Sequence, residues 1–403
     1  MNLLHVIDSV DPRGGGPIEG ILQWASLKES RFFNVSIASF DHPSAPYLSG
    51  IPVPVYALGN RGLPSHDRWH RLPWVHYGYA PRMIPWLRAN LHRYDVVVVN
   101  GLWNYSTFAA RRVLVGSTIP YYVFTHGMLD PWFKKTYPLK SALKQVFWWF
   151  CEGPLLNNAR AVLFTTEDER TLAHCAFLPY RLKDMVVGYG TNDVSGDPAT
   201  QIEAFLSLIP ALRNRNYILF LSRIHPKKGC NLLISAFAPI VASHPQVDLV
   251  IAGPDQNGLK KGLVAQAQAL GISDRIHWPG MLSGDAKWGA FRAAEAFVLP
   301  SHQENFGIVV AEAMACGKPV LLTDKVNIWR EVLACEAGLV ETDTAEGVAR
   351  LLERYFALSR EERDRMGRCA RNGFLQRLEI KLVINLIDKI FCGEIECIRL
   401  TQP

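Results

Sequence analysis

Short apolar runs rich in β-branched residues alternate along the chain with longer amphipathic stretches. Most of these runs are apolar throughout, as strands covered by helices on both faces should be. This rhythm is typical of βα units and predicts parallel sheets. The predicted strands form two series: residues 3–8, 35–40, 53–58, 96–99, 121–125 and 161–164, and then residues 217–221, 247–252, 276–278, 296–299 and 319–323.

Two series of strands predict two α/β domains, and 403 residues are ample for two cores of ordinary size. We assign residues 1–190 to an N-terminal domain, residues 191–375 to a C-terminal domain, and residues 376–403 to a C-terminal helix and tail. Residues 188–211, rich in Gly, Asp, Pro and Thr, are predicted to form the linker. Ligands of such sheets bind at the carboxyl ends of the strands, so functional residues are expected directly after strands.

A loop and a helix start follow the predicted strand at residues 296–299. The helix is predicted to begin near Phe306 or Gly307 and to end at Gly317, because glycine is favoured at helix C-termini. The backbone N–H groups of Phe306, Gly307 and Ile308 have no partner inside the predicted helix and lie at the positive end of its dipole. They predict an anion site suited to a diphosphate.

Two carboxylates flank this predicted anion site, Glu304 in the loop and Glu312 two turns into the helix. A carboxylate repels phosphate but accepts hydrogen bonds from vicinal hydroxyls. A diphosphate between two polyols is the chemistry of a nucleotide-sugar, so the pattern indicates a nucleotide-sugar site. The spacing leaves an alternative open, in which the two glutamates are a chance pair and Glu312 is a solvated helix residue.

Three cations, Arg223, Lys227 and Lys228, follow the predicted strand at residues 217–221. Arg223 and Lys228 are suited to neutralise a diphosphate leaving group, which a bound magnesium ion would otherwise do. A solvated turn with surface charges is the alternative. No Asp-x-Asp sequence follows any predicted strand, so we expect no metal site and no cofactor beyond the nucleotide-sugar itself.

Four segments together resemble the retaining glycosyltransferase family 4: SRIHPKKG (222–229), IAGPD (251–255), HWPGML (277–282) and PSHQENFGIVVAEAMACGKPV (300–320). The resemblance is strong over residues 215–325 and moderate over residues 1–190. It implies the GT-B fold, with two Rossmann-like doubly wound domains that face each other across a cleft and a C-terminal helix that returns to the N-terminal domain. It also implies transfer of a hexosyl unit from an NDP-sugar with retention at the anomeric carbon.

Residue roles follow from the same resemblance. Glu304 and Glu312 match the family's paired-glutamate motif, which implies that Glu304 binds hydroxyls of the donor sugar and Glu312 binds the ribose. Arg223 and Lys228 match the family's donor-phosphate cations. The resemblance further assigns the phosphate and the sugar to the backbone amides of the helix start, and the nucleotide base to Met281.

The N-terminal half contributes a glycine loop and several residues that follow strands. Gly14, Gly15 and Gly16 follow the first predicted strand, and their spacing does not fit a dinucleotide fingerprint, which counts against an NAD-dependent dehydrogenase. The resemblance implies that this loop covers the donor diphosphate and that His126 lies near the transferred sugar. The candidate catalytic residues are therefore Glu304, His126, Arg223 and Lys228, and the candidate acceptor contacts are Asn100, Trp103 and Asn104.

The net charge of +6 lies in the N-terminal half, where residues 1–190 hold 19 Lys and Arg against 13 Asp and Glu. Two aromatic and basic stretches, residues 68–88 and 132–150, suit an anionic membrane surface, with ordinary domain packing as the alternative. No RNA-binding motif accompanies them, so no nucleic acid partner is expected. The sequence shows no leader and no membrane-length apolar run, and we expect a cytoplasmic protein, peripheral on the inner face of the membrane. The expected acceptor is a lipid-linked or polysaccharide intermediate of cell-surface polysaccharide biosynthesis.

Two other functions remain open at this point. One is an NDP-sugar epimerase of the same fold, which product analysis without any acceptor would reveal. The other is a non-catalytic nucleotide-sugar-binding subunit, which slow donor hydrolysis by the pure protein would exclude.

Overall fold

The computed structural model describes residues 1–12, 15–26, 33–61, 77–255 and 258–395. The chain divides into two compact units, one of Met1–Tyr189 with Ile380–Pro403 and one of Gly190–Glu379. The chain therefore passes from one unit to the other twice. The predicted boundaries, after residues 190 and 375, fall close to these two positions.

The first unit is built on a parallel sheet. Its order is β3-β2-β1-β4-β5-β6-β7, so the direction of strand addition reverses between β1 and β4. Such a reversal is the point at which open α/β sheets bind ligands. Among the described residues its seven strands are β1 (Asn2–Val6), β2 (Asn34–Asp41), β3 (Val55–Arg61), β4 (Val96–Asn100), β5 (Tyr121–Phe124), β6 (Ala161–Phe164) and β7 (Asp184–Val186).

Helices cover both faces of this sheet, which explains why its central strands are apolar throughout. The last helix of the chain packs on it: Val383, Ile384 and Ile387 share a core with residues of β1, β4 and β5. The C-terminal helix thus belongs to the first unit. The described helices of this unit are α1 (Gly16–Ser26), α2 (Met83–Asn90), α3 (Tyr105–Leu114), α4 (Trp132–Thr136), α5 (Pro138–Phe147), α6 (Gly153–Asn158), α7 (Glu167–Ala173) and, at the end of the chain, α16 (Ile380–Phe391).

The second unit repeats the plan with a parallel sheet in the order β10-β9-β8-β11-β12-β13, which reverses between β8 and β11. Among the described residues its strands are β8 (Asn216–Leu221), β9 (Val247–Ala252), β10 (Ile276–Gly280), β11 (Ala296–Leu299), β12 (Val320–Thr323) and β13 (Gly338–Glu341). Its helices are α8 (Pro198–Leu206), α9 (Cys230–Ser243), α10 (Lys260–Ala269), α11 (Gly284–Ala293), α12 (Ile308–Ala315), α13 (Trp329–Ala334), α14 (Ala345–Phe356) and α15 (Arg360–Gly373).

The predicted linker at residues 188–211 is wrong in its middle, where α8 forms. Asp197 accepts hydrogen bonds from the amide and the hydroxyl of Thr200 at 2.7 and 2.8 Å, and Pro198 occupies the first helical turn. Asp and Pro are therefore helix-start signals here and not linker composition. The helix packs closely on α11, where a Cβ on Gly289 would lie 1.8 Å from the backbone oxygen of Gln201.

None of the helices in the described part of the chain is both long enough and apolar enough to cross a bilayer.

Candidate active site

The N-terminus of α12 carries the open amides that the sequence predicts, shifted slightly along the chain. The helix begins at Ile308, directly after Gly307, whose φ of 74° lies in the left-handed region that favours glycine. Within the described residues, nothing accepts a hydrogen bond from the amides of Gly307 or Ile308. Two unpaired N–H groups at the positive end of a helix form a site for an anion.

The C-terminus of the same helix follows the predicted signal. The helix ends at Ala315, and Gly317 adopts a φ of 67°. The amide of Lys318 donates to the Ala313 carbonyl at 3.0 Å, and that of Gly317 donates to the Met314 carbonyl at 2.9 Å. This pair of bonds is a Schellman motif, which requires a left-handed residue and returns the chain directly into β12.

Glu304 and Lys228 form an ion pair, although 76 residues separate them in sequence. Gly229 makes the approach possible, because a Cβ there would lie 2.1 Å from the Pro300 backbone oxygen. Glu304 is fixed by its own backbone, whose amide donates to the Lys325 carbonyl at 2.9 Å. The pair lies at the carboxyl ends of β8 and β11, where the strand order reverses, and Lys228 is only 7% exposed.

Glu312 is not a solvated helix residue, because it is buried on α12 and its Oε1 lies 2.6 Å from the Nζ of Lys287 on α11. This burial removes the alternative in which Glu312 is a surface residue. Lys287 was not predicted, and a single lysine in an amphipathic helix carries no sequence signal for such a role.

Arg223 and Met281 follow β8 and β10, and both side chains are exposed at the carboxyl edge of the sheet. Met281 is 72% exposed, which is unusual for so large an apolar side chain. Their placement is compatible with the predicted contacts to a diphosphate and to a base, and those contacts remain predictions.

The glycine loop of the first unit is described only in part, because Gly14 lies outside the described residues. Gly15 has a φ of 82°, which requires glycine. A Cβ at Gly15 or Gly16 would meet no atom of the described residues within 4 Å. Packing against the described residues therefore does not select these glycines, and none of those residues blocks a ligand from approaching the backbone here.

His126 follows β5 and is held as a neutral imidazole. Its Nε2 lies 3.2 Å from Asn100 Oδ1, and its ring stacks on Phe124. The Asn100 amide nitrogen faces the Val98 carbonyl at 3.3 Å and His5 Nδ1 at 3.2 Å. A carbonyl only accepts, so Asn100 Oδ1 faces His126 and the proton of His126 resides on Nε2. Burial lowers the pKa of His126 to about 4, and its Nδ1 is left as an acceptor for a hydroxyl.

The backbone around His126 is held by Glu169, a buried residue outside the predicted site. His126 has a φ of 49° and Gly127 a φ of 74°. Glu169 Oε1 accepts from the Gly127 amide at 2.6 Å and from the Thr125 hydroxyl at 2.8 Å. Thr166 and Glu169 have the spacing of a capping box, but only half of it forms: the Thr166 side chain accepts from the Glu169 amide, whereas Glu169 Oε2 accepts from the Thr165 amide at 2.8 Å.

Asn100, Trp103 and Asn104 all make structural contacts within the first unit. Asn100 is buried between two histidines, and Asn104 caps α3 by accepting from the Ser106 amide at 2.9 Å. Trp103 has a φ of 66°, and its amide donates to Glu152 Oε1 at 3.3 Å. The acceptor contacts predicted for these three residues stay predictions, and Asn100 has the additional role of orienting His126.

Glu152 is fully buried below Trp103, and its Oε2 accepts no hydrogen bond from the described residues. Burial raises the pKa of Glu152 to about 7, so the folded state holds a proton that the unfolded chain releases at lower pH. The stabilisation by this bound proton is complete below the pKa of Glu152 in the unfolded chain, and it is lost as the pH rises through the pKa of Glu152 in the folded state. We expect Glu152→Gln to leave stability near the wild-type value at pH 5 and to raise it by about 1–3 kcal/mol at pH 8.

Thermal unfolding at the two pH values measures this effect. Glu353→Gln on α14 is the control, since Glu353 is exposed and its replacement should change neither value. An equal shift of Glu152→Gln at both pH values would mean that Glu152 is ionised throughout.

A metal site formed by three or more His, Cys, Asp or Glu side chains is not found among the residues that the structure describes.

Models of known protein families match the sequence of both units. The model "Glycosyl transferases group 1" matches residues 209–373, and the model "Glycosyl transferase 4-like domain" matches residues 15–190. Together the two models span most of the chain. The chain belongs to the group 1 glycosyltransferases.

A curated relative of this group 1 glycosyltransferase is D-inositol 3-phosphate glycosyltransferase from Frankia alni, 38% identical over 166 residues. The match covers 39% of this chain and 36% of the relative, so the chain is matched to little more than a third of that protein's length.

Two solved structures share the fold over nearly the whole chain. HepE from Anabaena, in complex with UDP-glucose, has a TM-score of 0.73 at 19% identity and covers 98% of this chain and 100% of its own. Sucrose-phosphate synthase from Thermosynechococcus elongatus has a TM-score of 0.74 at 18% identity, with 98% and 99% covered. These likenesses identify the two parallel-sheet α/β units as those of the GT-B fold.

Proposed function

We propose that this group 1 glycosyltransferase transfers a sugar from an NDP-sugar to a lipid-linked or polysaccharide acceptor, with retention at the anomeric carbon. The observation that carries the proposal is the cluster at the strand-order reversal of the second sheet. There the Lys228–Glu304 ion pair lies in the loops beside the open amides of Gly307 and Ile308. A cation, two amide donors and a carboxylate suit a diphosphate next to a polyol.

The leaving group is stabilised by the protein itself. Arg223, Lys228 and the two amides hold the diphosphate as its negative charge grows. The Lys228 ammonium then donates hydrogen bonds both to phosphate oxygens and to Glu304. Glu304 in turn accepts hydrogen bonds from hydroxyls of the donor sugar. Glu312, fixed by Lys287, accepts from the ribose, and His126 accepts a sugar hydroxyl at Nδ1.

We assign retention to a mechanism in which the acceptor attacks the anomeric carbon on the face from which the diphosphate leaves. The bond from the anomeric carbon to the diphosphate breaks as the acceptor oxygen approaches on the same side, and the leaving phosphate takes the acceptor proton. No carboxylate is assigned as a nucleophile in this scheme. HepE was solved with UDP-glucose, which supports a nucleotide-sugar as the donor.

A thermal-shift screen of the full chain against UDP, GDP, ADP and their sugars tests the proposal, because a ligand that binds only the folded state raises its melting temperature. We expect one nucleotide series to stabilise the protein and its sugar to be hydrolysed slowly without acceptor. Stabilisation by none of the nucleotides would contradict the proposal. Conversion of the sugar to its epimer would identify an epimerase instead.

Activity is expected without a divalent metal, because Arg223 and Lys228 supply the positive charge at the diphosphate. Donor hydrolysis in excess EDTA should therefore stay within about twofold of its value in magnesium, a change of less than about 0.5 kcal/mol in the barrier. A complete loss in EDTA that manganese or magnesium restores would contradict this expectation.

We also propose peripheral association with the cytoplasmic face of an anionic membrane through residues 132–150. Of the other basic stretch, residues 68–88, the first part, residues 68–76, lies outside the described residues. On α5, Leu139 is 88% and Leu143 is 60% exposed, with Lys140 between them. Apolar side chains beside cations suit the headgroup region of a bilayer.

Flotation with phosphatidylglycerol vesicles should show binding that fades as salt rises, because salt screens the charge attraction. Leu143→Glu should reduce the bound fraction severalfold. Leu208→Glu is the matched control, an exposed leucine on the second unit whose replacement should leave binding unchanged. Binding that neither salt nor Leu143→Glu affects would rule out this surface.

A further inference from the structure

A cavity of 390 Å³ lies in the first unit at the loop that follows His126. Its lining combines three lysines and one carboxylate with apolar side chains. The charged lining residues are Lys134, Lys140, Lys144 and Asp130, and the apolar ones include Met128 and Phe177. From this lining we infer that the cavity binds the phosphate of an anionic, lipid-linked acceptor, an inference that rests on the proposed glycosyltransfer.

Three ammonium groups against one carboxylate give the cavity a positive potential. Lys144 is half-buried, and its Nζ lies 4.7 Å from the centroid of the Trp103 ring. Lys140 lies over the Tyr137 ring at 5.3 Å. Both cations are therefore positioned by aromatic rings before a ligand arrives. A charge in a partly desolvated position attracts an anion more strongly than the same charge in water.

Met128, which lines the cavity, connects it to the loop of His126. Met128 follows His126 by two residues, and its amide donates to the Thr125 carbonyl at 3.0 Å. Its sulfur lies 3.0 Å from the Leu102 amide, in the loop after β4. The cavity thus lies beside the loops that follow β4 and β5, at the edge of the sheet where ligands of such sheets bind. An acceptor phosphate held here leaves its sugar close to the His126 loop.

Exposed apolar side chains lie beside two of the lysines that line the cavity. Helix α5 carries Lys140 and Lys144 one turn apart, and Leu139 and Leu143 one turn apart beside them. After α5, Phe150 is 66% exposed. A stripe of apolar side chains next to a stripe of lysines matches an amphiphile that has a phosphate at one end and a hydrocarbon chain at the other. A free sugar phosphate would leave the apolar stripe without a partner.

Calorimetric titration of the full chain with dodecyl phosphate, below its micelle concentration, tests the inference. The Lys134→Gln/Lys140→Gln variant changes two exposed side chains and keeps the fold. We expect it to weaken binding by about 10- to 100-fold, the loss of charge-assisted hydrogen bonds to phosphate. Arg112→Gln is the matched control, an exposed cation outside the cavity, and it should bind as the wild type does.

Comparison ligands separate the possible sources of the signal. Dodecyl maltoside, which is neutral, and inorganic phosphate, which has no chain, should both bind at least about tenfold more weakly than dodecyl phosphate, a difference of about 1.4 kcal/mol. Equal affinity for dodecyl maltoside, or equal affinity of the wild type and the double variant, would overturn the inference. Inorganic phosphate that binds as tightly as dodecyl phosphate would overturn the lipid part and indicate a water-soluble phosphorylated acceptor.

The same protein preparations are titrated with UDP, GDP and ADP. The double variant should bind the nucleotide as the wild type does, because Lys134 and Lys140 belong to the first unit and the nucleotide is assigned to the second. If no nucleotide binds to either protein, the proposed function fails, whatever the result with dodecyl phosphate. If nucleotide binds but dodecyl phosphate does not, the inference alone fails.

Discussion

Glu304→Gln should lower turnover by about 100-fold or more, equivalent to at least about 2.7 kcal/mol in the barrier, while affinity for the nucleoside diphosphate is kept. The glutamine has the same shape but accepts hydroxyl hydrogen bonds without charge, so the loss falls on the donor sugar. The Lys228–Glu304 ion pair determines the expected effect on diphosphate affinity. Once the carboxylate is neutral, the Lys228 ammonium is no longer shared, and affinity for plain diphosphate should stay the same or rise.

Glu312→Gln is the matched comparison, because it makes the same chemical change at the second glutamate of the motif. Glu312 is assigned to the ribose and is buried against Lys287, so its replacement should weaken the nucleoside diphosphate and affect turnover less at saturating donor. Turnover and diphosphate affinity are measured on both variants. Normal turnover of Glu304→Gln, or an exchange of the two phenotypes, would contradict the assignment of the motif.

Arg223→Ala and Lys228→Ala should each cost about 1.5–3 kcal/mol of nucleoside diphosphate affinity, the range for a charged hydrogen bond that is no longer made. The two side chains differ in their burial and in their ion-pair partners. Arg223 is exposed after β8, whereas Lys228 is buried and paired with Glu304. Lys228→Ala also leaves a carboxylate near the phosphate without its cation, so its loss should be the larger of the two.

Lys227→Ala is the control for this pair. Lys227 is adjacent in sequence, but its Nζ lies 3.0 Å from the neutral amide oxygen of Gln303. Titration calorimetry should give wild-type affinity for Lys227→Ala and reduced affinity for the other two. If all three variants bind alike, the diphosphate lies elsewhere.

The sheets could be predicted from sequence to the extent that their strands are covered on both faces. All eleven predicted strands overlap observed strands, because central strands such as β4 are continuous apolar runs. The two that were missed, β7 and β13, are at the edges of their sheets. Their residues are mostly half-buried, so they lack the apolar pattern that marks the others.

Local signals also predicted the start and end of α12, since helix-start and C-cap chemistry depends on a few adjacent residues. Contacts between distant residues could not be predicted in the same way. The ion pair of Lys228 with Glu304 depends on how closely the loop at Gly229 approaches Pro300, a property of the folded sheet edge. The buried glutamates that hold the loops at Trp103 and Gly127 were missed for the same reason, although Glu152 stands out as the single charge in an apolar run.

Hydrogen–deuterium exchange of the full chain, with and without a saturating nucleoside diphosphate, tests the central claim most directly. The amides of Gly307 and Ile308 have no acceptor among the described residues, so they should exchange fast in the free protein and slow when phosphate oxygens bind them. We predict protection centred on residues 304–310, with a second protected segment at residues 222–230. Protection confined to the first unit, or fast exchange at residues 304–310 in the saturated protein, would contradict the assignment of the donor site to the start of α12.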